Sequence, residues 1–241
     1  MRILIGKDYE EISKKAALMV AAQVMLKPNS VLGLATGSTP LGLYRELIAM
    51  YQRGELDFSA VRTINLDEYY PLAPDDPQSY HYFMNDHLFK QINVKPENIH
   101  LPKGNADAVK AECDAYETMI SQVGGIDLQV LGIGVNGHIG FNEPHPFLHA
   151  QTHLVDLTAE TIQVNSRFFA SAEEVPRQAV TMGMGTILKA RRILLIASGR
   201  SKAEAIKKTV NGLVTTECPS SFLQTHPAVT LVLDQEAAAL L

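Results

Sequence analysis

Leu131-Gly-Ile-Gly-Val-Asn-Gly-His138-Ile-Gly-Phe-Asn-Glu143-Pro144 follows directly on an apolar run, Ile126-Asp-Leu-Gln-Val-Leu131. The run reads as a buried strand, and in open α/β sheets ligands bind just beyond the carboxyl ends of strands. Glycine lets the chain turn with positive φ and lets a ligand approach the backbone. A histidine at that place moves protons near neutral pH, and a nearby carboxylate such as Glu143 fixes its tautomer and orientation. The segment therefore reads as a reaction centre at the end of a strand.

A decoy lies inside it. Gly132-x-Gly134-x-x-Gly137 matches the dinucleotide fingerprint, with Asp156 roughly 20 residues further on. That fingerprint needs a helix opening at the third glycine to carry the pyrophosphate. Gly140, Pro144 and Pro146 break any such helix, so a nicotinamide or flavin site is not expected.

Working outward, apolar runs alternate with amphipathic stretches along the whole chain. This is the pattern of a three-layer α/β domain, a mostly parallel central sheet flanked by helices. Strands are expected at Ile3–Ile5, Val31–Leu34, Val61–Leu66, Ile126–Leu131, His153–Leu157, Ile193–Ala197 and Val229–Leu233. Helices are expected at 8–26, Leu41–Gln52, 79–92, 106–122, 158–170 and 201–211, with a polar, proline-rich loop at 71–77. No repeat or linker divides the sequence, so residues 1–241 are expected to form a single domain.

With 46% hydrophobic residues in 241, the chain can bury one sizeable core. A net charge of −5 gives no support for nucleic-acid binding, so any anionic ligand must be held by local cations and backbone amides. Cys113 and Cys218 have neither metal-ligand spacing nor a disulfide framework. The N-terminal run lacks the length of a signal segment, and no apolar stretch approaches the ~20 residues of a membrane helix. A cytoplasmic protein without membrane contact is the expectation.

Several constellations carry chemistry. Thr36-Gly37-Ser38-Thr39-Pro40 joins a strand to a helix, where backbone N–H groups, the helix dipole and hydroxyls suit an anion. The same residues also fit a plain cap, with Ser38 or Thr39 closing the helix. Ser198-Gly199-Arg200-Ser201-Lys202 repeats the arrangement. Lys202 in a first helical turn is explained by a facing anion or by simple solvation. Arg167 either grips a phosphate with its fork or is a helix-surface arginine. In Asn65-Leu-Asp67-Glu68-Tyr69, side chains alternate, so only one of the two carboxylates can face a given crevice. Asp67 reads as a base beside a carbonyl or as a turn cap. His145, His149 and His153 are spaced by four, but the prolines argue against the helix that a metal site would need. No metal is expected.

Taken together, Ala-Thr-Gly-Ser-Thr-Pro, Asn-Leu-Asp-Glu-Tyr, Gly-His-Ile-Gly-Phe-Asn-Glu-Pro, Asn-Ser-Arg-Phe-Phe and Ala-Ser-Gly-Arg-Ser-Lys-Ala resemble the glucosamine-6-phosphate deaminase family, in order and spacing from about residue 1 to about 235. The resemblance implies a modified Rossmann-like fold and a cofactor-free conversion of glucosamine 6-phosphate and water to fructose 6-phosphate and ammonium. By the same resemblance His138 opens the pyranose ring, Glu143 holds the imidazole, and Asp67 moves the proton from carbon 2 to carbon 1. Thr36, Gly37, Ser38, Thr39, Arg167 and Lys202 would hold the phosphate. The stretch at about 153–177 is expected to act as a lid. A 6-phosphogluconolactonase-like hydrolase is the nearest rival, and a non-catalytic sugar-phosphate sensor a more distant one. The oligomeric state, monomer or homo-oligomer, is left open.

Two departures from relatives stand out. Asn136 occupies a place where some members carry aspartate; an amide orients but cannot relay a proton, so a positioning role is expected. Allosteric members carry basic residues after Asn-Glu-Pro, whereas His145 to Asp156 contains no Lys or Arg here. A hyperbolic rate curve, unchanged by N-acetylglucosamine 6-phosphate, is therefore expected. Initial-rate kinetics with and without that compound check it, and a sigmoidal curve sharpened by the compound would refute it.

Overall fold

In a computed structural model, which describes residues 1–166, 169, 171 and 174–241, the strands are β1 (Arg2–Gly6), β2 (Val31–Leu34), β3 (Arg62–Asn65), β4 (Asp67–Tyr70), β5 (Ile99–His100), β6 (Leu128–Leu131), β7 (His153–Asp156), β8 (Gln178–Thr181), β9 (Ile193–Ala197) and β10 (Val229–Asp234). The helices are α1 (Tyr9–Leu26), α2 (Leu41–Gln52), α3 (Tyr80–His87), α4 (Val109–Gln122), α5 (Ala159–Asn165), α6 (Met184–Leu188) and α7 (Ala203–Asn211). Local chemistry sets several of the starts. Asp8 caps α1 by accepting from the Glu11 N–H at 3.0 Å, and Thr158 does the same for Thr161 of α5 at 3.2 Å. The 79–92 helix expected from the pattern stops at His87 and gives way to a 3-10 turn at Phe89–Gln91.

Seven strands form one sheet in the order β1-β10-β9-β6-β2-β3-β5, every pairing parallel. Side chains alternate across it, so each face feeds its own apolar layer. Ile12, Val20, Leu43 and Leu47 of α1 and α2 pack on Leu32, Leu34, Val130 and Val232. On the opposite face Tyr116, Ile187 and Ile206 of α4, α6 and α7 cover Val31, Leu131, Leu195 and Leu231. From β2 the chain adds β3 and β5 on one side, then returns to add β6, β9 and β10 on the other. The reversal lies between β2 and β6, and such a switch point leaves a crevice at the strands' carboxyl ends.

The strand expected to run through Leu66 instead ends at Asn65. Leu66 donates its N–H to Leu34 O at 3.1 Å and accepts at its carbonyl from Met182 N at 2.7 Å. Beyond it Asp67 starts β4 in a second, antiparallel sheet of order β4-β8-β7, paired with Thr181. This small sheet, with β8 and α6, was not foreseen; Gln-Ala-Val-Thr at 178–181 is too short a run to stand out.

Asp127 heads β6 and is almost wholly buried. It accepts from Lys27 Nζ at 2.8 and 2.7 Å, from Val31 N at 2.8 Å and from Arg191 Nη1. Burial raises its carboxyl, but Lys27, the Val31 amide and Arg191 outweigh that and hold it below the usual aspartate value. Both cations reach solvent, which weakens their contribution. Asp127→Asn is expected to cost about 2 kcal/mol of stability at neutral pH in urea unfolding. Because the native value is depressed, the difference should begin to shrink as pH falls below about 4, where the unfolded carboxylate takes up its proton, and vanish only below the lower native value.

Candidate active site

A cleft of about 760 Å³ opens at the switch point. Its first wall is the segment after β6. No helix follows Gly137, as the breakers require; instead Gly134 N donates to His138 O at 3.0 Å, closing a tight loop. Gly134 is needed for close approach: a Cβ there would lie 2.3 Å from His138 Cε1 and 2.4 Å from Nδ1. Asn142 staples the loop to the second sheet by donating to Met182 O at 2.8 Å.

His138 Nδ1 lies 3.1 Å from Glu143 Oε2. With Nδ1 protonated toward that carboxylate, Nε2 is left as the exchanging nitrogen. Asn136 Nδ2 donates to the same Oε2 at 2.7 Å, while Asn136 Oδ1 accepts from His138 N at 3.1 Å. An aspartate at 136 would have to be protonated to keep the first of these bonds. Thr161 of α5 donates to the other oxygen, Oε1. Burial raises the Glu143 carboxyl, yet His138, Thr161 and Asn136 outweigh it and keep it below its ordinary value.

Asp67 forms the floor. It is buried and lines the cleft with His138, so these two groups, distant in sequence, do share one cavity. Burial pushes its carboxyl up to about 8, with Glu68 beside it adding to the rise. Gly140, at φ 58, passes directly over it; a Cβ there would stand 3.4 Å from Asp67 Oδ2 and 3.1 Å from Thr181 Oγ1. Glu68 points away. Its Oε1 accepts from Tyr69 N and Tyr80 N, both at 2.8 Å, and its Oε2 from His81 N at 2.9 Å. It thus serves the N-terminus of α3.

Thr36, Gly37, Ser38, Thr39 and Lys202 line the same cleft. Neither Ser38 nor Thr39 caps α2; its N-cap is Pro40, which has no side-chain bond to offer. The loop is held from below by Tyr9, whose hydroxyl donates to Ser38 O and Thr39 O at 3.0 and 3.1 Å and accepts from Gly42 N at 2.8 Å. Asp234, closing β10, organises the turn before Lys202: it accepts from Ser198 Oγ at 2.5 Å and from Gly199 N at 2.9 Å. Arg167 lies outside the described residues.

Sequence reasoning missed Thr161, Glu160, Tyr9, Tyr80 and Asp234. Of these only Thr161 left a trace, three residues after the capping Thr158. The others depend on which strand ends become neighbours. His145, His149 and His153 lie on no helix; the last two stack, ring centroids 4.1 Å apart.

A buried carboxylate facing a histidine–carboxylate pair across one cleft defines an α/β enzyme of the acid–base kind. Residues 8–232 match the family described as glucosamine-6-phosphate isomerases/6-phosphogluconolactonase, and the chain belongs to it. A glucosamine-6-phosphate deaminase of Halothermothrix orenii is 64% identical over 241 residues, the whole of both chains. One from Thermoanaerobacter pseudethanolicus is 59% identical over 241 residues, covering all of this chain and 95% of its own. The solved structure of a monomeric glucosamine-6-phosphate deaminase superposes with a TM-score of 0.98 at 48% identity, over 100% of both chains. The 6-phosphogluconolactonase of Trypanosoma cruzi covers 100% of this chain and 96% of its own with a TM-score of 0.80 at 20% identity, a likeness of fold.

Gly134→Ala is expected to push the imidazole off Glu143 and lower turnover about a hundredfold. Its urea midpoint should correspond to a loss of no more than about 1 kcal/mol, since the displaced atoms belong to a side chain at a cleft wall. Parallel rate and unfolding measurements separate the two effects.

Proposed function

We propose that this enzyme converts glucosamine 6-phosphate and water to fructose 6-phosphate and ammonium. The observation that carries the reading is the convergence of Asp67 and His138, itself bonded to Glu143, on one cleft that the Thr36–Thr39 loop and Lys202 also line. His138 takes the anomeric hydroxyl proton and returns one to the ring oxygen, opening the pyranose. Glu143 holds the imidazole, and Asn136 steadies both through its two bonds. Asp67 then removes the proton on carbon 2, the electrons passing to the carbon 1 carbonyl, whose oxygen takes a proton from the substrate's ammonium group to give an enolamine. The same carboxyl returns a proton to carbon 1, leaving an imine at carbon 2. Water adds there, and the nitrogen leaves as ammonium.

The phosphate is anchored by Thr36, Gly37, Ser38, Thr39 and Lys202, with Arg167 assigned to the same task by the family resemblance. Binding energy at this unreactive end orients the sugar for proton transfer. The segment at about 153–177, part of which lies outside the described residues, is assigned the role of a lid; its helix α5 brings Glu160 and Thr161 to the cleft. No helix among the described residues is long and apolar enough to cross a membrane. The same reading places the enzyme in the cytoplasm, acting on a small sugar phosphate without nucleic-acid or membrane partners.

A lactone hydrolase needs no base over carbon 2, and ammonium release separates the two readings. Purified protein should yield fructose 6-phosphate and ammonium in equal amounts without added nucleotide or metal. Asp67→Asn should retain substrate binding and lose about 10³-fold or more in rate. Since the base must be ionised and burial raises its carboxyl to about 8, kcat/KM of the wild type should climb with pH through a midpoint near 8. A rate unaffected by Asp67→Asn would sink the assignment.

A further inference from the structure

Glu143 belongs to the loop after β6, whereas Thr161 lies in the first turn of α5, on the segment read as the lid. Thr161 Oγ1 donates to Glu143 Oε1 and accepts from Thr158 Oγ1 at 3.2 Å. Glu143 Oε2 is meanwhile engaged by Asn136 Nδ2 and His138 Nδ1. The carboxylate is thus gripped at both oxygens, one from the loop at the sheet's end and the other from the lid helix. Gripped so, it cannot turn about its own axis, and the imidazole bonded to it is fixed in its turn.

Both Glu143 and Thr161 are buried with α5 seated, so in this arrangement Thr161, not solvent, donates to Oε1. A buried carboxylate that loses a donor becomes more basic and free to rotate, and it competes harder for the Nδ1 proton. The catalytic pair is then misaligned while the cleft is open.

We propose that Thr161 is a positioning residue that transmits the seating of α5 to the Glu143–His138 pair, so that the imidazole is aligned for proton transfer only with the lid helix in place. The inference rests on the deaminase reading above. It gives the lid a second task beside excluding water: chemistry starts when the cleft is covered.

Thr161→Val removes the hydroxyl at nearly constant volume. For ammonium release from glucosamine 6-phosphate, kcat should fall about tenfold while KM stays within about twofold. Thr161→Ser should restore kcat to within about twofold, and in a Glu143→Gln background Thr161→Val should cost no more than about twofold further. Thermal melting of each variant confirms that it folds. An unchanged kcat in Thr161→Val, a rise in KM in place of the fall in kcat, or full additivity with Glu143→Gln would each overturn the proposal. Absence of ammonium from the wild type would bring down the functional reading and this inference with it; wild-type turnover with an indifferent Thr161→Val would bring down this inference alone.

Discussion

The peptide groups around Leu66 are bonded to two sheets at once, and the position of the cleft's base follows from that. The N–H goes to Leu34 of the central sheet and the carbonyl to Met182, just past the second sheet. A backbone held at both ends has little freedom, so Asp67 is delivered to one place, over the switch point between β2 and β6. The glycine loop after β6 then brings His138 to the same crevice, and the loop after β2 brings Thr36–Thr39. Three segments far apart in sequence meet because parallel strands all end on one side.

Two carboxyl groups at this site, Asp67 lining the cleft and Glu143 bonded to His138, have opposite environments. Burial and the neighbouring Glu68 lift Asp67, so it can accept and return a proton near neutral pH. Three donors hold Glu143 down, so it stays ionised and orients the imidazole. Among the described residues, fixed hydrogen-bond donors stand beside Glu143 and none beside Asp67. Glu68, which serves the N-terminus of α3 rather than the cleft, is pushed up to about 7 by burial despite its three backbone donors.

Much of this was legible in the sequence. Val31–Leu34, Ile193–Ala197 and the helix Leu41–Gln52 were bounded by glycine, proline and apolar periodicity, and their limits agree with the structure. His138 and Glu143 were legible because glycine and proline excluded a helix around them. Alternation along the strand said that Asp67 and Glu68 must part, but not which one would face the cleft. The strand at His153–Leu157 was legible, but the sheet it joins was not, because β4, β7 and β8 are four residues each and pair across long separations. Tyr9 and Asp234 escaped for a related reason: each supports a loop that neighbours it only after the sheet has assembled.

The strand order has a bearing on how the molecule is made. Among the described residues, β1 lies at the edge of the sheet and pairs only with β10, the last strand described. The turn before Lys202 likewise relies on Asp234, at the end of that same strand. During synthesis β1 therefore leaves the ribosome long before β10 and waits for all the intervening strands and helices before it finds this neighbour. Until then it is an unpaired edge of Ile and Leu, open to mispairing, and the substrate pocket is unfinished. Interrupted translation products of this enzyme should accordingly be both inactive and prone to clump.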